Sequence, residues 1–490
     1  MKRVITGIFI LLTVSVISHA QIDTLKQQEQ TPPAVEKWSL QKCIDYALTN
    51  NLTVQRSTYD VATSEVGLRQ ARFSRLPNVS ANAWYGYNWG RSPDPTSNAF
   101  IIDRYRSSNL SANASLPIFN GFNIHNTVRQ NQTAVSASEQ DLAKAKNDLI
   151  LNVASLFINV VFNKELVDNA RFQLASSQQQ LERTRKQVAA GALPKSEELN
   201  LDAQAAGNEV TLVQQENALA LSILQLKQAL QIPASQGLDV EVPSLNPEDL
   251  IVDQSRDEIY EIARQVMPEI KSAELRIQSS YHAVMASRGN LYPRLSLTAG
   301  INSTYASRNE AVLYEDGTFR NSSNPIAFVN GDFAQPVYTK IPNGVYRNTY
   351  GYFDQVKDNI YRSLGIQLVI PIFNNYTARA SVQRSVIQNE QAKITAQLTA
   401  QTLRQNVETA YNDAVAASKT YNSSLRQVNA REEAFRMMEQ RYGAGSANSF
   451  EFQVSQNDLF RAKTDLTRAK YDFIFKKKVL DFYQGKPLEY

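Results

Sequence analysis

Cysteine is almost missing from this chain. Cys43 is alone in 490 residues, which excludes an internal disulfide, and it lies too far from the start to be the lipid-carrying first residue of a mature lipoprotein. Proline is absent from 118–193 and again from 372–486, so two helices of about 65 residues, near 98 Å at about 1.5 Å per residue, are sterically permitted. No charge sign dominates, because 51 Lys and Arg stand against 47 Asp and Glu. The net charge of +4 is spread along the chain and leaves no basic stripe for nucleic acid. Histidine is scarce too: His125 and His282 lie in separate helical contexts with no carboxylate or cysteine at ligand spacing. Neither a G-x-S-x-G elbow nor a phosphate-cradling glycine loop is present. The expectation is a protein with no metal site, no cofactor and no enzymatic activity.

One apolar run stands out. Residues 1–20, MKRVITGIFILLTVSVISHA, carry Lys2 and Arg3, then an apolar stretch from Val4 to Ile17, then the small-residue site Ser18-His19-Ala20. A membrane helix asks for about 20 apolar residues, and this run is shorter, so it reads as a secretory signal. No later stretch is expected to span a membrane as a helix. Export without disulfides suits a bacterial envelope protein.

The chain then repeats itself. SLPIFNGF at 115–122 returns as VIPIFNNY at 369–376, which lays Pro117 on Pro371, 254 positions on. The same shift lays QVAAGALPKSEEL from 187 on RYGAGSANSFEFQ from 441, with Gly191 on Gly445, and Pro233 on Pro487. Upstream, RLPNVSANAWYGY from 75 matches YPRLSLTAGINSTY from 292 at a shift of 216, with Pro77 on Pro293. The chain is therefore a tandem duplication whose second copy carries 38 extra residues. We divide it into a signal (1–20), a linker (21–38), a first repeat (39–254) and a second repeat (255–490).

Four stretches alternate with period two. Val79, Ala81, Ala83, Tyr85, Tyr87 and Trp89 interleave with Ser80, Asn82 and Asn88, with Trp84 and Gly86 as exceptions. Leu110 to Ile118 alternate with Asn109, Ser111, Asn113 and Ser115; Leu295 to Ile301 alternate with Ser296, Thr298 and Asn302; Leu364 to Ile370 alternate with Ser363, Gly365 and Gln367. Strands are expected at about 77–90, 105–118, 293–306 and 359–372. A soluble antiparallel sheet has the same alternation. Here the polar face carries Ser, Thr, Asn and Gly rather than charges, and the apolar face ends in aromatics, as in a membrane barrel with an interfacial girdle.

The remainder reads as helix. Leu149, Val153, Leu156 and Val160 step by four, three and four, and Val167, Leu174, Leu181 and Val188 keep the seven-residue register. Leu403, Val407, Ala410, Ala414, Ala417 and Tyr421 repeat it in the second copy. These are coiled-coil seams. Shorter helices are expected at about 39–74, 195–231, 255–291 and 449–484. The extra residues fall in a second loop, 308–357, whose DGTF, NSSNP, VNGDF and IPNGVY segments read as a long mobile excursion.

A β-structure in hydrocarbon can have no free edge, because each unpaired backbone group costs several kcal/mol. Four strands cannot close, since the smallest spanning barrels have about eight, so several copies must share one barrel. The signal, the WSLQKCIDYALTNN opening at 38–51, the doubled LPN/YPR and PIF strand ends and the two glycine turns together resemble the outer-membrane efflux protein family, the TolC-like exit ducts. The resemblance covers nearly all of 38–490 and rests on the order of these motifs, given twice.

What the resemblance implies is a mostly α fold with a membrane β-part. Three chains each lend four strands to a twelve-stranded barrel in the outer-membrane lipid, and long coiled-coil helices to a periplasmic α-barrel. Pro77, Pro117, Pro293 and Pro371 mark the strand–helix junctions. The homotrimer is a passive duct of a tripartite efflux or type I secretion system, docked on a periplasmic adaptor (a membrane fusion protein) and an inner-membrane transporter. Gly191 and Gly445 sit in the tip turns that take the adaptor contact and close the entrance. The family's acidic aperture position corresponds to Glu451, its aromatic latch to Tyr442 and its first-repeat polar partners to Ser196 and Glu197. Ala447 stands where the family prototype has an arginine latch, and Val454 where it has a second acid. Glu197 and Glu451 also suit the plain role of first-turn helix acids favoured by the macrodipole. A coiled-coil structural or adhesive surface protein would use the heptads without needing four alternating strands; a secreted enzyme on a helical scaffold would need a site the chain does not offer.

Overall fold

The computed structural model describes residues 37–93, 100–102, 104–242 and 255–486. The signal, nearly all of the linker, the boundary between the repeats at 254/255 and Pro487 lie outside these residues. In chain order the elements are β1 (Lys37–Trp38), α1 (Leu40–Asn50), α2 (Leu52–Phe73), β2 (Asn78–Asn88), β3 (Arg91–Pro93), β4 (Phe100–Ile102), β5 (Tyr105–Phe119), α3 (Asn123–Ala189), α4 (Lys195–Leu230) and β6 (Asp239–Val240). The second repeat continues with α5 (Arg256–Val266), α6 (Pro268–Gly289), β7 (Arg294–Ala306), β8 (Ala311–Asn321), β9 (Ala327–Phe328), β10 (Pro336–Val337), β11 (Lys340–Asn348), α7 (Tyr352–Asp358), β12 (Tyr361–Val369), α8 (Thr377–Gly443) and α9 (Ser449–Tyr483).

Antiparallel pairing in the order β12–β7–β5–β2 makes one four-stranded sheet. Its register brings the alternation of all four strands onto common faces. Val79 pairs with Ala114, Ala114 with Ala299 and Ala299 with Leu364, so one row of one face is wholly apolar. The opposite face takes Ser80, Asn113, Gly300 and Ser363 in the same way. Trp84 and Gly86, the two exceptions to the alternation, belong together: a Cβ at Gly86 would lie 2.8 Å from the Trp84 ring, so the indole occupies the space a side chain there would need.

Two 67-residue helices, α3 and α8, leave the sheet. Each pairs at its far half with one short helix (α4 or α9) and at its near half with others, so two short helices run alongside one long one. Two expectations are corrected. The stretches 39–74 and 255–291 are each two helices, broken at Asn51 and Met267, where the backbone is extended (ψ 128° in both). At Asn51 the side chain restarts the helix by accepting from the Thr53 amide at 2.8 Å; at Met267 the following Pro268 takes the first helical position. In addition, α3 does contain a stretch long and apolar enough to cross a membrane by length and composition. Leu149, Val153, Phe157, Val160 and Val161 on it are buried against α1, α4 and α9, and a helix packed on several sides becomes apolar all round.

The cores of the two repeats sit at matching places. Cys43 and Ala47 in one, Ile259 and Ala263 in the other, are fully buried. Burial pushes the Cys43 thiol up to about 12, so it packs as a small hydrophobe. Trp38, assigned to the linker from sequence, is buried on β1, which pairs in parallel with β6. The 38-residue excess carries regular structure where turn-rich loop was expected: β8 and β11 form a hairpin, β9 and β10 a smaller one, and α7 packs on β7. Gln355 of α7 is fully buried, accepts from the Ala306 amide at 3.1 Å and donates to the Tyr350 carbonyl at 2.9 Å, covering the β7 edge above the start of β12.

Candidate entrance at the helical tip

The turns that join α3 to α4 and α8 to α9 have the same backbone bonding. In the first, Ala192 N–H donates to Gln187 C=O (2.8 Å) and Gly191 N–H to Val188 C=O (3.0 Å); in the second, Ser446 donates to Arg441 (2.9 Å) and Gly445 to Tyr442 (3.1 Å). This is the double bond pattern that closes a helix through a left-handed residue. That residue is glycine in both, at φ 72° for Gly191 and 69° for Gly445.

Side chains then differ. Pro194 begins α4 with no side-chain cap, whereas Asn448, the equivalent residue, accepts from the Glu451 amide at 2.8 Å. Glu197, half-buried, accepts a hydrogen bond from the Ser449 hydroxyl of the other repeat. Glu451 and Ser196 are exposed. Tyr442 is held from two sides: its ring stacks on Phe452 (centroids 4.8 Å apart, planes at 24°), and Gln180 Nε2 donates to its hydroxyl at 3.0 Å. These groups line a cleft of about 590 Å³ between the two hairpins. Glu197, Tyr442, Ala447, Gly445 and Leu193 all border it; Ser196 and Glu451 do not appear on its wall. Ala447 is half-buried and Val454 exposed.

Sequence reasoning missed the groups that position the site. Ser449 and Gln180 act across the repeats, Phe452 acts within the second hairpin, and only Asn448, three residues before Glu451, carried a local signal, that of a helix N-cap. Further polar bridges join the same two hairpins, from Gln456 Nε2 to Ser176 Oγ at 2.9 Å and from Tyr471 Oη to Glu165 at 2.5 Å. Arg185 with Asp202 (3.0 Å) braces the first hairpin, and Arg431 with Asp458 (2.9 Å) the second.

At the other end, Pro77 and Pro293 each stand just before a strand. Pro117 and Pro371 depart from the expected strand ends. Pro117 lies inside β5, where the register with β7 shifts before Phe119, and Pro371 lies two residues beyond β12; a missing N–H is tolerated at a bulge or past a strand end. Gly121 (φ 62°) fits the first junction tightly: a Cβ there would lie 2.3 Å from the Gly289 carbonyl oxygen. Asn375, its repeat equivalent, is also left-handed at φ 50°. His125 and His282 are placed on α3 and α6, where burial, Arg129 and His125 lower the pKa of His282. Among the described residues no group of three or more His, Cys, Asp or Glu is placed to hold a metal ion.

The sequence profile described as outer membrane efflux protein matches residues 43–230 and 259–476. The solvent efflux pump outer membrane protein SrpC of Pseudomonas putida is 23% identical over 457 residues, 89% of this chain and 83% of that protein. The fold is similar to the outer membrane protein VceC of Vibrio cholerae (TM-score 0.71, 14% identity, 92% of this chain and 97% of that one). It is also similar to the outer membrane channel CmeC of Campylobacter jejuni (TM-score 0.68, 15% identity, 98% and 95%).

Proposed function

From the premise that this chain belongs to the outer membrane efflux protein family, we propose that it works as a homotrimeric, non-catalytic exit duct whose entrance lies at the tip formed by the turns of the two helical hairpins. It is an outer-membrane channel protein of the TolC-like fold. The observation that carries the trimer is the open sheet. Four strands with an apolar face leave β2 and β12 as unpaired edges, which no hydrocarbon environment tolerates. Three copies close twelve strands. Exposed apolar side chains support the same assembly: Leu52, Tyr59, Val66 and Phe73 recur every seven residues on α2. At the far edge, Ile372 (95% exposed) and Phe373 (82%) follow β12. The α3–α6 packing within the chain would be repeated between α8 of one copy and α2 of the next, covering these residues.

The entrance uses Tyr442 as its aromatic wall, Glu451 as its free acid and Ser196 with Glu197 as first-repeat polar partners. The glycine turns at 191 and 445 present the tip to a periplasmic adaptor, and an inner-membrane transporter supplies the energy. The duct serves a tripartite efflux or type I secretion system. Three measurements test this. Native mass of the purified protein is expected to be that of three chains, and planar bilayers are expected to show single-channel conductance. A tag at Gly331, in the turn between the β9 and β10 strands, is expected to be labelled on intact cells; labelling only after permeabilisation would reverse the topology.

A further inference from the structure

The four helix ends that meet the sheet carry charge of one sign. Segments 66–78, 120–138, 275–294 and 371–389 hold nine arginines and two histidines, with no lysine, aspartate or glutamate. Farther along the helices acids and bases mix in ion pairs such as Arg171–Glu216 and Arg404–Glu408, both at 3.0 Å. Helix contacts fix which of the basic residues face outward. On α3, Asn123 donates to the Ala286 carbonyl of α6 at 2.7 Å, and Ser138 bonds to Ser64 of α2 at 2.9 Å. At about 100° per residue, His125 and Arg129 lie on the arc opposite both seams. On α6, Ser272 bonds to Asp141 of α3 (2.6 Å) and Ser287 to Ser385 of α8 (2.8 Å), and Arg288 lies away from both. In a closed ring of helices the seams crowd toward the centre, so the free arc faces out. The repeat shifts of 216 and 254 carry Arg72 onto Arg288 and Arg379 onto His125, which makes the outer arc basic in both copies. All five of these residues and Arg129 are exposed, save none. Among the described residues none of the four arginines forms an ion pair, whereas Arg276 turns toward the seam and takes Asp141 at 2.6 Å.

Helix dipoles explain only half of this collar. Arg72 and Arg288 occupy the last turns of α2 and α6, where a cation is favoured. His125 and Arg379 occupy the first turns of α3 and α8, against the dipole, and neither turn contains an acid. An anion from outside the chain answers all of them. Directly beyond the collar stand Phe122, Tyr292 and Tyr376, each exposed, and then the rows Leu116–Leu297–Ile366 and Val79–Ala114–Ala299–Leu364, with Ile366 and Leu364 71% and 76% exposed. Arg379, Tyr376, Asn290 and Leu291 line a cleft of about 370 Å³ where β7 begins and β12 ends.

We propose that this collar binds the phosphate groups of anionic glycerophospholipids in the periplasmic leaflet of the outer membrane, with the Arg379 cleft as its defined seat. The inference rests on the proposed reading in which the apolar face meets lipid and the long helices lie in the periplasm. Continuity selects a lipid, since its acyl chains lie on the apolar rows and the aromatic rings stand at the interface between them and the arginines. Charge complementarity selects the headgroup: a guanidinium fork matches phosphate oxygens bidentately, and a zwitterionic headgroup brings its own cation and leaves the collar unanswered. Helical side chains lean toward the N-terminus, so Arg129 and Arg379 reach back toward the sheet.

The test uses the intact trimer in phosphatidylcholine nanodiscs doped with phosphatidylglycerol, and native mass spectrometry counts which of the two lipids stays bound as the disc is stripped away. The parent is expected to keep phosphatidylglycerol about tenfold better, as one charge-assisted contact implies. Arg379→Gln should lose most of that preference and Arg129→Gln, Arg288→Gln and Arg379→Gln together all of it, the trimer mass in the same spectrum showing that the variants assemble. Equal retention of the two lipids by the parent, or an unchanged preference in Arg379→Gln and the triple variant, overturns the proposal. So does loss of bound phosphatidylglycerol on adding inorganic phosphate alone, which would make the collar an ion site. A bimane on Leu364→Cys, with Cys43 buried, separates this from the underlying reading, because brominated lipid should quench it. Quenching without anionic preference rejects the collar only; an unquenched label means that the face does not meet lipid, and the reading and the proposal fall together.

Discussion

The two hairpin tips are bonded alike along the backbone and differently through their side chains. Gly191 and Gly445 close their helices with the same pair of amide bonds, yet Glu197 is tied to Ser449 across the repeats, while Glu451 is exposed with its amide capped by Asn448. Duplication preserved what the backbone needs to turn and let the acids diverge. One acid ties the two hairpins together, and the other stays exposed. The junctions at the sheet show a parallel split: Gly121 is wedged against Gly289, and Asn375 holds the same left-handed conformation in the repeat that must meet a neighbouring copy.

The largest expected effect lies at that junction. Gly121→Ala would place a Cβ 2.3 Å from a backbone oxygen and should abolish the folded trimer on native gels. Asn375→Ala should cost only about 1 kcal/mol, the price of a left-handed alanine, read as a small drop in thermal midpoint. A Gly121→Ala trimer melting like the parent would remove the close approach as a determinant. Next comes selectivity. A purified channel is expected to favour cations and to be blocked from the periplasmic side by multivalent cations, because acids crowded on a narrow ring attract them. Glu451→Ala should abolish the block and Glu197→Ala should keep most of it, since Glu197 already takes the Ser449 hydroxyl. Equal loss in both variants would erase the distinction between the tips.

Smaller effects sharpen the comparison further. A Cβ at Gly191 or Gly445 meets no atom within 4 Å, so the main cost of Gly191→Val and Gly445→Val is the left-handed backbone, about 1–2 kcal/mol. Both should leave the trimer in the membrane, and efflux should fall more for Gly445→Val, whose turn carries the exposed acid. Unchanged drug tolerance in Gly445→Val would withdraw that turn from the entrance. Smallest of all, Asn448→Ala should cost about 1 kcal/mol through the lost cap, seen as faster hydrogen exchange at the Glu451 amide. Pro194→Ala, which removes no side-chain bond, should move stability by less than about 0.5 kcal/mol.

Much of this architecture was legible because it is local or repeated. Period-two alternation reports a strand's two faces, and the seven-residue step of Leu149, Val153, Leu156 and Val160 reports a seam, whatever surrounds them. Glycine in the PKS-flanked and ANS-flanked turns reports a left-handed residue for the same reason. The break at Asn51 was not legible from periodicity, since one residue of extended backbone leaves the helical spacing on either side nearly intact, whereas Pro268 was a legible stop for the helix ending at Val266. The regular structure in residues 308–357 was not legible either. Turn-rich composition marked DGTF and IPNGVY, but the β8–β11 register joins residues as far apart as Ala311 and Asn348.

By itself, then, the sequence determined the duplication, the faces of the strands, the seams of the helices and the glycines of the turns, all properties of short-range stereochemistry and spacing. Only the tertiary structure decided which acid is engaged and which is exposed, that Gln180 donates to Tyr442 from the other repeat, and that α7 covers the β7 edge. Each of these depends on side chains meeting across large sequence separations, where the distance between two atoms is fixed by packing and strand register rather than by any pattern along the chain.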